Sequence, residues 1–441
     1  MQALLISTYE MGRQPFGLAS PAAWLRAAGW TVALVDTAKE PLADDVIAGA
    51  DLIGFYLPMH TATRLASPII TKVRRLNPRA RICAYGLYAP LNGEWLRSLG
   101  VDEVLGGEFE EDLIAFAQAR SVGDRKSLAR IHFLVPDRTG LPGLDRYATL
   151  QRADGTRALV GYTEASRGCR HLCRHCPIVP IYNGQFRVVQ PEVVLADVAS
   201  QVAAGASHIT FGDPDFFNGP THAMRIVEGL HAAHPSVTYD VTIKIEHLLA
   251  HTDLLPRLRD AGCLLITSAV ESIDNAVLAR LEKGHTCSDF VRAVQRCREI
   301  GLTLVPTFVA FHPWLTLGDY CEFLDTIEEH DLVDHVAPIQ LAIRLLVPEG
   351  SRLLELGEVR ERVGPFDPAT LTYRWKHPDP EVDRLQEDVS AIVGVKIARS
   401  RRATFDAVSD LAHERAGRPR PASRPARDRA TVPYLNEPWY C

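Results

Sequence analysis

Short apolar runs alternate with amphipathic stretches along most of this chain, and that alternation sets the fold class before any single residue is considered. "ALLIS" and "WTVALVD" are strand-length apolar runs, and "PAAWLRAAG" between them has helix-compatible spacing that ends on a glycine. The predicted unit is strand, helix, strand. The order recurs through "ADLIGFYLP", "ITKVRRLNPRARICAYG" and "VDEVLGGEFEEDLIAFA", with glycines and prolines at each switch, as expected of a parallel sheet covered by helices. Ligands of such open sheets sit at the carboxyl ends of strands, so the loops after Ile6, Tyr56, Tyr85 and Leu105 form the expected binding rim. No G-x-G-x-x-G follows the first strand, which turns the reading away from a dinucleotide.

The pattern then breaks. Residues 121–159 are rich in Arg, Gly and Pro, as in "VPDRTGLPGLDRY", and predict a linker that wraps rather than packs. From 160 to 348 the alternation resumes, with apolar runs at "VGYTEAS", "HITFG", "YDVTIKI", "LLITSAV", "LTLVPTFVAF" and "VAPIQLAIRLL" and helical segments such as "PEVVLADVASQVAAG" and "SDFVRAVQRCREIG" between them. These are βα units of a barrel or partial barrel. Residues 349–415 read as charged helices, and 416–441 as an exposed Arg/Pro-rich tail that turns aromatic in "TVPYLNEPWYC". The predicted class is α/β: a Rossmann-like domain over 1–120, a partial barrel, a helical extension and an irregular tail.

Composition narrows the function. A formal net charge of -6 argues against generic nucleic-acid binding, which needs a basic surface. No stretch approaches the roughly 18 uninterrupted apolar residues of a membrane span, and "MQALLISTYE" lacks the basic start and cleavage site of a secretion signal. The expectation is a cytoplasmic protein with neither a membrane nor a nucleic acid as partner. Its nine cysteines then read as thiols, some of them metal ligands, rather than as disulfides.

Three of those cysteines lie together in "GCRHLCRHCP", spaced Cys169-x3-Cys173-x2-Cys176, after the first barrel strand, where barrel sites gather. Structural zinc needs a fourth ligand; His171 and His175 inside the loop keep that alternative open. A [4Fe–4S] cluster has four irons, and three thiolates leave one iron open to bind a small molecule. Cys83, Cys263, Cys287, Cys297 and Cys321 sit among apolar neighbours and receive no role, since free cysteine is often just a small buried hydrophobe.

At these residues the chain resembles the radical SAM superfamily, and the resemblance runs over 160–348. It implies that Cys169, Cys173 and Cys176 hold a [4Fe–4S] cluster whose open iron chelates S-adenosylmethionine, and that an electron from the cluster breaks a carbon–sulfur bond to make a radical. "ITFGDPDFFN" falls where the family carries its glycine and acid motif for the methionine amino group, which points to Gly212, Asp213 and Asp215; the family's double glycine and glutamate are altered here. "SAVESID" offers Glu271 and Ser272 for ribose and carboxylate contacts, with "LEKGHT" following. Helix capping is the alternative for Asp213, Asp215 and Ser272. Lys244 and His247 in "TIKIEHLL" either face the barrel interior, Lys244 toward the cofactor, or are ordinary strand-end residues. His312 and Arg344 at later strand ends are candidate catalytic residues, Arg344 as a bidentate carboxylate holder, or else buried salt-bridge partners.

The N-terminal domain resembles the cobalamin-binding-like domain that precedes many radical SAM domains, with a "GE.E" element at Gly107, Glu108 and Glu110. The Asp-x-His-x-x-Gly motif for a cobalt ligand is missing. Members of the superfamily also bind cobalamin without it, so the resemblance keeps cobalamin as a candidate cofactor; a scaffold that shapes the substrate side of the barrel is the alternative. The tail resembles a radical SAM group ending in Cys-Cys-Ala-Glu-Pro or Cys-Sec-Ala-Glu-Pro, and the expectation is that a selenocysteine codon follows Cys441. It is similar too to the radical SAM enzymes of arsinothricin biosynthesis, which add the 3-amino-3-carboxypropyl group of S-adenosylmethionine to trivalent arsenic. That likeness implies a small-molecule substrate, arsenite, delivered or retained by Cys441, and a reductant such as flavodoxin or ferredoxin. Two competing readings are a cobalamin-dependent radical SAM methyltransferase, which has no need of Cys441, and an iron–sulfur sensor or electron carrier.

Overall fold

Two parallel sheets, each built from the alternation above, carry the chain. The computed structural model describes residues 1–119, 125–152, 154–394, 400–422 and 432–436. The first sheet takes β1 (Gln2–Ser7), β2 (Thr31–Asp36), β3 (Leu52–Tyr56), β4 (Arg81–Tyr85), β5 (Glu103–Gly107) and β6 (Arg125–Ser127) in the order β2-β1-β3-β4-β5-β6, all parallel. Its alternate residues pack on opposite faces: Leu4, Ile6, Ile53 and Ile82 in one core, Ala3, Leu5, Leu52 and Cys83 in the other. Both faces are therefore buried, which is why these strands read as continuous apolar runs.

The stretch expected to wrap as a linker is partly packed. Ile131, Phe133 and Leu144 join the barrel core, and Arg138 pairs with Asp197 at 2.9 Å while donating to the Tyr162 carbonyl at 2.6 Å. The stretch also supplies β7 (Thr149–Gln151), antiparallel to β8 (Arg157–Thr163). After β8 comes the hairpin of β9 (Ser166–Gly168) and β10 (Phe186–Val188). The barrel continues with β11 (His208–Phe211), β12 (Thr238–Thr242), β13 (Cys263–Glu271) and β14 (Thr303–Phe308), parallel to β8 in the order β14-β13-β12-β11-β8.

A sixth strand over "VAPIQLAIRLL" does not form. Pro338 opens a 3-10 turn, Pro338–Leu341, because proline brings no N–H to a ladder; what remains of the sixth position is one parallel bridge, Phe311 to Arg344. The extension is not wholly helical either: β15 (Val363–Asp367) and β16 (Thr372–Trp375) make a hairpin ahead of the helices Pro380–Gly394 and Arg401–Ala416. Near the end of the chain, β17 (Tyr434–Leu435) pairs with β7 and extends the barrel sheet to seven strands. No helix among the described residues is long and apolar enough to cross a membrane.

Candidate functional site

The β9–β10 hairpin presents the cysteine loop. Gly168 has φ +79°, and a Cβ there would lie 2.4 Å from the Tyr182 ring and 2.6 Å from the Gln185 carbonyl, so only glycine fits ahead of Cys169. Cys169 and Cys173 are buried and Cys176 half-buried. Burial pushes the Cys169 thiol up and the Cys176 thiol up to about 12, so ligation there releases protons. The Lys244 ammonium lies 3.9 Å from Cys173 Sγ, and the buried Lys283 is held charged, burial opposing and the Glu271 carboxylate and neighbouring Cys173 and Cys176 favouring it. Three thiols in one loop, facing two buried ammonium groups, fit an anionic thiolate-held cluster.

Two acid groups flank this loop. Asp215 lies 2.7 Å from His247 and 3.5 Å from His171; burial alone would raise its carboxyl, but the two imidazoles outweigh burial and lower it. Cys169, His171 and Asp215 bring their ligand atoms within 4.8 Å of one another, so the loop histidine faces the acid of the next strand's loop. Glu271, at the end of β13, lies 3.0 Å from His175 and 3.3 Å from Lys283. Burial opposes its charge, and Lys283 and His175 override burial to hold the carboxyl at about 2. Its φ of +72° sits in the left-handed region, next to a register shift between Ala269 and Glu271. Such strain persists where surrounding contacts over-determine it, and here it aims the carboxylate at the loop.

The remaining predicted residues divide. Gly212 follows β11 directly, where a Cβ would fall 1.9 Å from the Tyr162 hydroxyl, a close approach only glycine permits. Asp213 accepts from the Ala165 N–H at 2.9 Å and the Ser166 hydroxyl at 2.5 Å. It thus anchors the backbone leading into the cysteine loop, and burial raises its carboxyl to about 7. Ser272 accepts from Asp274 N–H at 3.1 Å and shapes the turn after β13. Arg344 is drawn away from the site: it pairs with Asp383 at 2.7 Å, donates to the Trp375 carbonyl at 2.8 Å and stacks 3.5 Å over the Trp375 ring. It binds the C-terminal extension to the barrel, the salt-bridge alternative. His312 is buried against Trp314, ring centroids 5.8 Å apart, and burial lowers its imidazole to about 4; it is not among the groups around the cysteines. Cys441 lies outside the described residues.

The sequence offered His171 and His175 only as alternative zinc ligands, and Lys283 only as part of "LEKGHT". What the sequence does not display is that β13 and the turn after it fold back onto the loop.

The "GE.E" element has a structural explanation. Arg167, two residues before Cys169, pairs with Glu110 at 2.8 Å and Glu108 at 3.3 Å from the N-terminal domain, and with Glu164 at 2.8 Å. Its guanidinium lies between the rings of Phe133, Phe109 and Phe16, at 4.9, 5.3 and 5.8 Å. Burial raises Glu108 to about 7 against the pull of Arg167, and the Tyr182 hydroxyl donates to it at 3.1 Å. Beside this knot a cavity of 250 Å³ separates the domains, lined by Met11, Tyr56, Met59 and Leu87 from the first and by Tyr162 and Gly212 from the second. It lies on the predicted rim of strand ends. Among the described residues no imidazole lines it, in keeping with the missing Asp-x-His-x-x-Gly motif.

With this geometry in place, the comparisons are direct. Residues 163–327 match the radical SAM superfamily. That segment is a radical SAM domain. Such a domain works with a [4Fe–4S] cluster and S-adenosylmethionine, and the three thiols of the cysteine loop are the donor set such a cluster needs. The tRNA-2-methylthio-N(6)-dimethylallyladenosine synthase of Jannaschia sp. is 24% identical over 306 residues, 64% of this chain and 62% of that protein. The bacteriochlorophyllide d C-8(2)-methyltransferase of Chlorobaculum tepidum is 25% identical over 191 residues, 41% of each chain. The chain thus spans less than two thirds of the length of these relatives. Among solved structures, the radical S-adenosylmethionine methyltransferase TsrM of Kitasatospora setae superposes with a TM-score of 0.68 at 16% identity, covering 94% of this chain and 95% of that one. The cobalamin-dependent S-adenosylmethionine radical enzyme OxsB gives 0.66 at 15%, covering 94% and 72%. The likeness in fold therefore extends across the N-terminal domain as well as the radical SAM domain.

Proposed function

We propose that this protein is a radical SAM transferase that cleaves S-adenosylmethionine and moves one of its carbon groups to a small molecule in the barrel. The observation that carries the reading is the convergence of Cys169, Cys173 and Cys176 with Lys244 and with the Glu271–Lys283–His175 group on one face of the barrel mouth. When bound, the cluster supplies the electron that breaks a carbon–sulfur bond. The chain's own residues do the rest: Glu271 and Asp215 stay ionised at the mouth and hold cationic or hydroxyl groups of S-adenosylmethionine, Lys244 and Lys283 balance the negative charge of the thiolates, and the domain knot excludes water from the side facing Tyr162.

Methyl transfer with cobalamin is the finer reading with support in the comparisons, through the methyltransferase relative, the TsrM methyltransferase fold and the cobalamin-dependent OxsB fold. The interdomain cavity lies at the strand ends where the cofactor would sit. Transfer of the 3-amino-3-carboxypropyl group to trivalent arsenic is the second reading, favoured by β17, which brings the tail that carries Cys441 back to the barrel sheet. Mass spectrometry of the nucleosides released by the anaerobically reconstituted, reduced protein separates them. S-adenosylhomocysteine with 5′-deoxyadenosine on adding cobalamin supports methyl transfer, and methylthioadenosine on adding arsenite supports the arsenic reading. No cleavage of S-adenosylmethionine under any of these conditions overturns the transferase proposal.

A further inference from the structure

The barrel interior holds a second cavity, of 290 Å³, near the lower end of the roughly 300–1,000 Å³ usual for ligand sites. None of the three cluster cysteines lines it, nor do Asp215, Lys244 and Glu271; it meets their side of the barrel through Gly212, Asp213 and Pro214. It is therefore distinct from the cysteine loop, and it shares Met11, Arg13, Gly212 and Pro214 with the interdomain cavity.

Four charged residues line this compartment, Asp240, Arg401, Asp213 and Arg13, and the first two have capacity left over. Asp240 on β12 is buried, and its Oδ1 accepts from Thr210 at 2.6 Å and lies 2.9 Å from His208 Nε2. Its Oδ2 has no hydrogen-bond partner among the described residues. Arg401 opens the helix Arg401–Ala416, donates from Nη1 to the Asp334 carbonyl at 2.5 Å and lies 4.7 Å from the Tyr434 ring centroid. No carboxylate among the described residues forms an ion pair with it. Asp213 is engaged by the Ala165 N–H and the Ser166 hydroxyl, and the Arg13 guanidinium lies 5.1 Å from the Tyr162 ring centroid; Thr267, Thr307 and His335 add polar lining, His335 Nδ1 lying 2.8 Å from the Leu304 carbonyl while burial lowers its imidazole. Leu265 and Val305 complete the lining.

A buried charge without a counter-charge is unfavourable unless something pairs with it. A carboxylate and a guanidinium in one small cavity satisfy that demand together if the occupant carries both signs. We propose that the barrel cavity binds an amino-acid zwitterion, its ammonium on Asp240 and its carboxylate on Arg401, with an aliphatic or thioether side chain against Leu265 and Val305. This names the substrate class of the transferase reading and rests on it. Tyr434 and Leu435 of β17 also line the cavity, so the tail is part of its wall.

The test is calorimetric titration of the anaerobically reconstituted full chain with L-leucine, L-methionine and L-glutamate. 3-Methylbutan-1-amine and 4-methylpentanoate, each retaining one charge of leucine, serve as half-ligands. L-leucine or L-methionine should bind saturably and more tightly than L-glutamate, with both half-ligands weaker than leucine by roughly tenfold or more, the usual scale of a charged hydrogen bond. Asp240→Asn should weaken the amine and spare 4-methylpentanoate; Arg401→Gln should do the reverse, and Arg401→Lys should restore part of the loss. If Asp240→Asn does not fold, the Gln and Lys variants of Arg401 carry the test alone. Absence of binding by all three amino acids, or binding indifferent to these substitutions, overturns the proposal. Cluster absorbance and S-adenosylmethionine binding recorded on the same samples separate the two readings: intact loading without zwitterion binding refutes the cavity proposal alone, and failed loading refutes the radical SAM transferase.

Discussion

Arg167→Met tests whether the domain interface is held by charge. Methionine keeps an unbranched stem among Phe16, Phe109 and Phe133 and removes the one cation shared by Glu108, Glu110 and Glu164. Breaking a buried ion pair from one side costs about 3–5 kcal/mol. The same figure follows from protonation: a carboxyl near its ordinary value, forced to take up a proton at pH 7.5, pays about 1.4 kcal/mol per pH unit over about three units, or about 4 kcal/mol. At pH 5.5 the same proton costs only about 1.4 kcal/mol. The destabilisation should therefore shrink by about 3 kcal/mol between the two pH values. The sign agrees with the parent protein, in which Glu108 is already raised to about 7: stability from that group is fully present below its ordinary value near 4.5 and is lost as pH rises toward 7. Anaerobic urea titrations of both proteins, followed by tryptophan fluorescence at pH 5.5 and 7.5, give the two differences. A penalty under about 1 kcal/mol, or one equal at both pH values, would refute the account.

Other perturbations have equally definite outcomes. Cys176→Ser should abolish the visible absorbance of the reconstituted cluster, and iron loading of the native protein should fall as pH drops from 8 to 6, because thiols raised by burial must give up protons to bind. Gly212→Ala forces a methyl to within 1.9 Å of the Tyr162 hydroxyl and should lower stability by about 1–3 kcal/mol on overpacking alone, read as a shifted urea midpoint. Lys283→Met removes the strongest influence holding Glu271 near 2. The stability that Glu271 contributes is present above its ordinary value near 4.5 and lost as pH falls toward 2, so the variant should unfold at a higher pH in an acid titration.

Local periodicity made the two α/β regions legible, because strands buried on both faces and capped helices leave their signal within a few residues. The helix Cys287–Ile300 carries its Thr286–Asp289 capping box and terminal Gly301 in the sequence itself. The cysteine spacing was equally local. What escaped depends on distant partners. Glu108 and Arg167 are 59 positions apart, and nothing near either says that "GE.E" ends in an ion pair across domains. The linker packs because Arg138 finds Asp197 59 residues on, and Arg344 leaves the site because Asp383 and Trp375 lie in the extension. Lys283 matters because a strained Glu271 turns toward it, a feature of backbone geometry that spacing cannot express.

The pairing of β17 with β7 also fixes an order of events during synthesis. Tyr434 lies opposite Gln151, so the wall that completes the amino-acid cavity leaves the ribosome long after the cysteine loop has emerged. Contacts of such high sequence separation form late, since the loop they close is long. The nascent protein therefore passes through a stage in which the first sheet, the Arg167 knot and the cysteine loop can be in place while the barrel is open on one side. Metal loading has a window before closure, and the compartment is complete only once the segment holding Tyr434 and Leu435 has been made and paired.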